Sequence, residues 1–531
     1  MTGGAKAAAA PVNNPWLVMV SVSLATFMEV LDTTITNVSL PHIGGSLAAS
    51  QDQSTWVMTS YLVSNAIILP LSGWLADVIG RKKYFMLSMA GFTLASFFCG
   101  SATSLWMIIV FRLLQGMAGG GLQPTQSAIL LDVFSVEDRP KAFALAAVTM
   151  IVAPVIGPTL GGFITDNASW RWIFFINVPV GMLAIFLVNR LYHEHTAHEH
   201  AGHGHASAQK KRNVDYFGFL LIALGIGATQ IILDKGTQDD WFGSNFILGL
   251  TVLAVAALAG AVWWMLRQEN PMVQLRLFGI PSFRLSCILI FFMGFVLYSS
   301  SILLPLLVQT YFGYDATWAG LVLSPGALAV ILMTPLTTRL IHAVKPRYII
   351  MTGFLLCGSG VFYTAHFSPV TDIWTFVTMR ILTVSGLPFL FIPISTMAYS
   401  QVSRHMNNKA SALYSLCRNL GGSFGISLVI TYFSRHTQMW QTYLGAHLTA
   451  TSLATQQALA HDESLLKAAG VSPSAAPAAA KALLYQHLQR QAGLMGYVDS
   501  FRLTATVMLL LAPVALLMRG SFSKKAAAVV E

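Results

Sequence analysis

Apolar runs long enough to cross a bilayer dominate the chain, and polar residues are mostly confined to the short stretches between them. A helix needs about 20 predominantly apolar residues to span the hydrocarbon core. By that measure the pattern predicts about fourteen spans, beginning near residues 16, 54, 84, 105, 142, 172, 215, 246, 285, 318, 348, 373, 412 and 500. The expected class is an all-α integral membrane protein.

The connections between spans are unequal in charge. One set collects Arg81, Lys82, Lys83, Arg139, Lys141, Lys210, Lys211, Arg212, Arg267, Arg276, Lys345, Arg347, Arg404 and Lys409, while the other holds little more than Arg171 and Lys235. Basic loops stay on the cytoplasmic side, so both termini are expected there. The expected organisation is a cytoplasmic N-terminus (1–15), a six-helix bundle (16–191), a His-rich cytoplasmic loop (192–214) and two additional helices (215–266). A cytoplasmic linker (267–284), a second six-helix bundle (285–518) and a cytoplasmic tail (519–531) follow. Within the second bundle, 435–499 reads as an outer segment whose Ala, Gln and Leu suit two helices folded as a hairpin, broken at Ser472-Pro-Ser-Ala-Ala-Pro477.

The halves repeat. Thr55-Trp56 and Thr317-Trp318 open corresponding spans, and Pro70-Leu-Ser-Gly-Trp has a faded counterpart in Pro335-Leu-Thr-Thr-Arg. Val30-Leu31-Asp32-Thr33 likewise aligns with Val296-Leu297-Tyr298-Ser299. Repeated halves around a central cavity are a common construction for secondary transporters. Because Tyr298 stands opposite Asp32, proton chemistry is expected in the first half.

Two carboxylates interrupt the first apolar run. Glu29, Asp32, Thr33 and Thr36 share one helical face. A charge at the bilayer centre costs about 2.5–3.5 kcal/mol even on the lenient insertion scale, so such groups face protein or water. Helical rise puts Asp32 roughly 12 Å and Arg112 roughly 10 Å below the outer surface. Arg380 occupies the corresponding place in the twelfth span. The pattern predicts that Asp32 and Glu29 bind protons and that Arg112 alters their affinity as the cavity changes its exposure. The competing structural reading pairs the acids with arginines for packing, and Arg112 and Arg380 with carbonyls at helix breaks.

Three further motifs point to movement or packing. Gly73-Trp-Leu-Ala-Asp-Val-Ile-Gly-Arg81 joins a close-packing glycine, Gly80, and an acid, Asp77, that can pair with Arg81 or sit against a neighbouring helix N-terminus. These residues are candidates for a cytoplasmic gate. In the fifth span Gly157 and Gly161, followed by Gly162, are spaced for close helix contact, with Pro154 and Pro158 deforming the helix. Arg418-Asn-Leu-Gly-Gly-Ser-Phe-Gly425 supplies a second glycine-rich surface. Tyr298, Arg380 and Arg418 are the second-half candidates.

These residues together resemble a known family. Leu31-Asp-Thr-Thr-Ile-Thr-Asn-Val-Ser-Leu-Pro41, the Gly73–Lys82 loop, Arg112-Leu-Leu-Gln-Gly116, Gly157-Pro-Thr-Leu-Gly-Gly162 and Trp170-Arg-Trp-Ile-Phe-Phe-Ile-Asn-Val-Pro-Val-Gly181 are similar to the fourteen-helix drug:proton antiporters of the major facilitator superfamily, EmrB/QacA type. The resemblance covers nearly the whole chain. It implies two six-helix halves with two extra helices between them, proton coupling at Asp32 and Arg112, and an antiporter motif at Gly157-Pro158. It also implies a bacterial inner membrane, a periplasmic adaptor (EmrA-like) and an outer-membrane channel (TolC-like). Glu29 and the His-rich loop depart from the family pattern.

Composition narrows the alternatives. The chain is 55% hydrophobic and only 10% charged, against about 25% charged in soluble proteins. Its net charge of +10 reflects loop topology rather than a nucleic-acid surface. Cys99, Cys287, Cys357 and Cys417 all fall in apolar segments, implying no disulfide framework. His193, His195, His198, His200, His203 and His205 read mainly as a solvated linker, and no metal site is expected. No nucleophile–base pair or phosphate-cradling loop suggests an enzyme or sensor. The expectation is proton-driven export of hydrophobic drugs without a cofactor; a dedicated exporter of one metabolite, such as a fatty acid or siderophore, is the alternative.

Overall fold

The computed structural model describes residues 14–193 and 215–518, except 270 and 450. The His-rich run beyond His193 therefore lies outside the described residues. The first half comprises α1 (Pro15–Ser46), α2 (Gln51–Ser54), α3 (Trp56–Ile68), α4 (Ser72–Ile79), α5 (Arg81–Gly100) and α6 (Leu105–Gly119). It continues through α7 (Leu122–Val133), α8 (Arg139–Asn167), α9 (Trp172–Phe175) and α10 (Asn177–Leu191). The added pair is α11 (Tyr216–Lys235) and α12 (Asn245–Arg267). The second half runs through α13 (Pro281–Phe312), α14 (Ala316–Ala343), α15 (Pro346–Thr364), α16 (Ile373–Ser385) and α17 (Leu387–Ala398). It ends with α18 (Asn407–His447), α19 (Leu453–Ala468) and α20 (Ala476–Leu511).

Among the described residues, eleven helical segments are long and apolar enough to cross a membrane. Three more helices, α5, α15 and α18, lie where the sequence pattern placed spans; Lys83, Arg347 and Arg418-Asn419 lower their hydropathy. Helix ends follow local chemistry. Asn14 accepts the Trp16 N–H at 3.0 Å with Pro15 at the first helical position, and Asp372 accepts the Thr375 N–H at 3.2 Å. Glycines and prolines break several spans internally. Pro70 lies in a short 3-10 turn between α3 and α4, Gly120-Gly121 separates α6 from α7, and Gly386 separates α16 from α17, whose first turn carries Pro388.

The outer segment contains the expected two-helix hairpin, α19 packed on the start of α20, but it begins at Leu453 rather than near 435. Helix α18 continues unbroken to His447, α19 forms a separate short helix, and α20 already starts at Ala476. No proline or turn pair interrupts 435–447, so the span propagates into its polar extension. The Ser472–Pro477 break lies between α19 and α20, as the sequence indicates.

Small residues set how closely the helices approach. A methyl on Gly421 would overlap the Phe291 carbonyl oxygen, and one on Gly425 would overlap that of Phe295, so α18 and α13 touch backbone to backbone. Glycines also join the halves: Gly320 of α14 meets Thr159 of α8. The added pair docks beside α3, where Gly227 faces Val63 and Ile67, and Thr237 and Trp241 bond Thr431 of α18 at 2.6 and 3.1 Å. The first-half core is divided along α1. One cluster contains Val22, Ala25 and Met28, another Val30, Leu31 and Ile35, and the polar pair Glu29 and Asp32 lies at their junction.

Replacing Gly421 with alanine should destabilise the protein by about 1–3 kcal/mol, the usual cost of overpacking. Gly249→Ala, where nothing lies within 4 Å of the added carbon, should melt like the parent. Thermal unfolding in detergent measures both; equal melting temperatures would refute the close α13–α18 approach.

Candidate functional site

The ion pair between Asp32 and Arg112 is the centre of the first half. Both side chains are excluded from solvent, and Arg112 Nη1 donates to Asp32 Oδ2 at 2.5 Å. The other carboxylate oxygen accepts from Gln115 Nε2 at 3.0 Å and Asn177 Nδ2 at 2.7 Å. Asn177 also donates to Ser96 Oγ at 3.0 Å, whose hydroxyl donates to the Phe174 carbonyl at 2.9 Å. Arg112 is held from three other directions. Its Nε donates to Val57 O at 3.2 Å, Nη1 to Gln115 at 2.9 Å, and its guanidinium lies 4.3 Å from the Tyr61 ring centroid. Arg112 thus pairs with the acid and with a carbonyl beside the α2–α3 break, the contacts of the structural reading.

Glu29 lies one turn nearer the start of α1, about 4.5 Å along the axis. It accepts from Asn65 Nδ2 at 3.2 Å, while its second oxygen is buried without a hydrogen-bond partner. Gln123 lies against this carboxylate and accepts a short hydrogen bond from Arg418 Nη2. Arg418 also reaches Met150 Sδ at 3.0 Å. An arginine of the second half is thereby inserted into the first, beside its second acid.

Of the other second-half candidates, Tyr298 lies near Glu29 and Arg418, while Arg380 stays apart. Arg380 donates to Ser300 and Ser301 Oγ, each at 3.1 Å. Tyr298 is half-buried and packs on Gly422 of α18. The repeat is better registered by its arginines: Arg112 and Asp32 are 80 residues apart, as are Arg380 and Ser300. Ser300, two positions beyond the aligned Tyr298, is the residue that meets the second-half arginine.

The gate motif is assembled from both halves. Asn408, at the start of α18, donates to Asp77 Oδ1 at 2.5 Å, placing Asp77 against a neighbouring helix N-terminus. Arg81 forms an ion pair with Asp132. Gly80 adopts φ 93°, a conformation that favours glycine, as the chain turns from α4 into α5. A methyl on Gly73 would stand 2.6 Å from the Asn408 carbonyl oxygen, so this contact admits no side chain. In α8, Gly157 and Gly161 lie against Thr34 and Ile35, within three residues of Asp32; Gly162 is also buried, and Pro154 and Pro158 lie inside the helix.

Four partners escaped sequence reasoning: Asn65, Gln115, Gln123 and Asn177. Their common signal is an amide within an apolar run, and Gln115 follows Arg112 by three residues on the same helix. No local pattern says which amide faces which acid.

A helical membrane protein with two related halves, a buried acid–arginine pair in one and a polar contact closing one end between them, has the architecture of a secondary transporter. Residues 22–426 match the Major Facilitator Superfamily model, and the chain belongs to that family. It is 36% identical to the multidrug export protein EmrB of Escherichia coli (strain K12) over 429 residues, covering 81% of this chain and 82% of that protein. It is also 36% identical to the fatty acid resistance protein FarB of Neisseria gonorrhoeae over 446 residues, covering 84% and 86%. The solved human organic anion transporter MFSD10 (TETRAN) shares the fold, with a TM-score of 0.57 at 14% identity, covering 94% of this chain and 100% of that one.

Asp32→Asn removes the negative partner and leaves a buried guanidinium. Breaking a buried pair from one side costs about 3–5 kcal/mol, so the variant should melt well below the parent. Adding Arg112→Gln should recover part of the loss. A single variant that melts like the parent would show that the pair is not dry in solution.

Proposed function

We propose that the protein exports hydrophobic drugs by exchanging them for protons through alternating access. The observation carrying this reading is the solvent-excluded Asp32–Arg112 pair, in a chain 36% identical to a multidrug export protein over four-fifths of its length.

A proton arriving on Asp32 cancels its charge and weakens the bond to Arg112. The arginine then rests on the groups that already hold it: Val57 O, Gln115 and the Tyr61 ring. Loss of the proton restores the pair. Helix α8 senses the change because Gly157 and Gly161 press on α1 beside Asp32. At the basic end, here taken as cytoplasmic, Asp77–Asn408 and the Gly73 contact must part to admit substrate. Glu29, with one oxygen free of hydrogen bonds, is a second place for a proton. One inward proton yields about 2.3 kcal/mol per 100 mV, which sustains roughly a forty-fold solute gradient.

The fatty acid resistance protein FarB, at the same identity, favours a dedicated exporter as the second reading. Susceptibility of a deletion strain separates the two: broad sensitisation supports multidrug export, and sensitisation to one compound supports the dedicated role. In proteoliposomes with a pH-sensitive dye, drug addition should move protons through the parent and not through Asp32→Asn, while Glu29→Gln should change the pH dependence. Full proton-driven transport by both variants would remove the proposed coupling.

The extensions of α18 and α20, with α19, are proposed to dock a periplasmic adaptor that leads to an outer-membrane channel. Deleting residues 449–474 should leave drug uptake by inverted vesicles near the parent level and abolish export past the outer membrane. Intact whole-cell export would exclude that docking role.

A further inference from the structure

The two halves build the same four-helix junction around an arginine, but they complete it differently. In the first half α1, α5, α6 and α10 contribute Asp32, Ser96, Gln115 and Asn177 around Arg112. In the second, α13, α15, α16 and α20 surround Arg380 with Ser300, Thr364, Thr383 and Phe501. Arg380 is 1% exposed, as shielded as its counterpart. Yet among the described residues no carboxylate forms an ion pair with it, and its hydrogen bonds go to the neutral hydroxyls of Ser300 and Ser301. Its Nε–H is buried without a hydrogen-bond partner.

A guanidinium does not shed its proton in a protein, so this charge persists. In a dry bundle interior an uncompensated cation is strongly unfavourable, and a pKa shift offers no escape. Beside Arg380 lies a small cavity with room for about one water-sized occupant, on the scale that a single buried solvent site requires. Its lining comes entirely from the second half, away from the seam between halves. The Thr364 and Thr383 hydroxyls already donate to the Gly360 and Met379 carbonyls, each at 2.9 Å, so the guanidinium is the available donor.

We propose that this cavity binds a small monovalent inorganic anion, chloride under physiological conditions, as the counter-charge of Arg380. The anion takes the role that the Asp32 carboxylate plays for Arg112. The size of the cavity excludes phosphate and drug-sized acids. The site is structural and does not rest on the exporter reading: its anion neutralises one half while protons titrate the other.

The test uses the purified full chain in detergent, in gluconate buffer at constant ionic strength, with chloride exchanged for gluconate. The melting temperature should rise by several degrees and saturate; bromide should substitute and sulfate should not. Arg380→Met should abolish the response. Ser300→Asp supplies a carboxylate at the position that corresponds to Asp32, so it should melt in gluconate as the parent does in chloride and ignore further chloride. A parent melting temperature indifferent to chloride overturns the proposal, as does Ser300→Asp with an undiminished chloride response. If a variant fails to fold, saturable broadening of the chloride-35 resonance by the parent supports the site, and its absence rules the site out.

Discussion

A charge inside a low-dielectric bundle must be met by an opposite charge or by enough dipoles, and this requirement shapes the protein's interior. Asp32 and Arg112 meet it together: each would be costly alone, and the amides of Gln115 and Asn177 complete the coordination of the acid. Such a pair contributes little net stability compared with apolar residues of the same volume. In the proposed exchange its value lies in being breakable by a single proton, which would turn chemical potential into a change of packing.

That change can spread only because the helices around it are in direct contact. Gly157 and Gly161 bring α8 onto α1 beside the acid, and Gly421 and Gly425 bring α18 onto α13. Contacts made through backbone rather than through flexible side chains leave few soft degrees of freedom, so displacement of one helix is passed to the next. Arg418 adds a polar link across the seam, joining the second half to Gln123 beside Glu29.

Much of this was legible before any coordinates. Span positions followed from hydrophobic length, and the pairing of Asp32 with Arg112 followed from depth, because two opposite charges at one level of a bilayer have strong reason to meet. The docking of the Gly73–Arg81 loop on a neighbouring helix N-terminus was one of the two contacts read for Asp77, while Arg81 pairs with Asp132 instead. What sequence could not supply was azimuth. Helical rise gives depth but not which neighbour a face meets, so Asn65, Gln123 and Asn177 went unnoticed, and Arg418, though a second-half candidate, was not expected beside Glu29. The hairpin expected in 435–499 forms from α19 and the start of α20 but begins later than 435, because composition reports helix but not continuity and α18 runs through the expected boundary.

Helix α18 has one more consequence. It carries Asn408 at one extremity, Arg418 part-way along and His447 at the other, in a single uninterrupted stretch of 41 residues. At 1.5 Å per residue, roughly 60 Å separates Asn408 from the far tip. Measured from Arg418, the arm toward His447 is about three times as long as the arm toward Asn408. Any tilt about that point, small at Asp77, is therefore largest at His447.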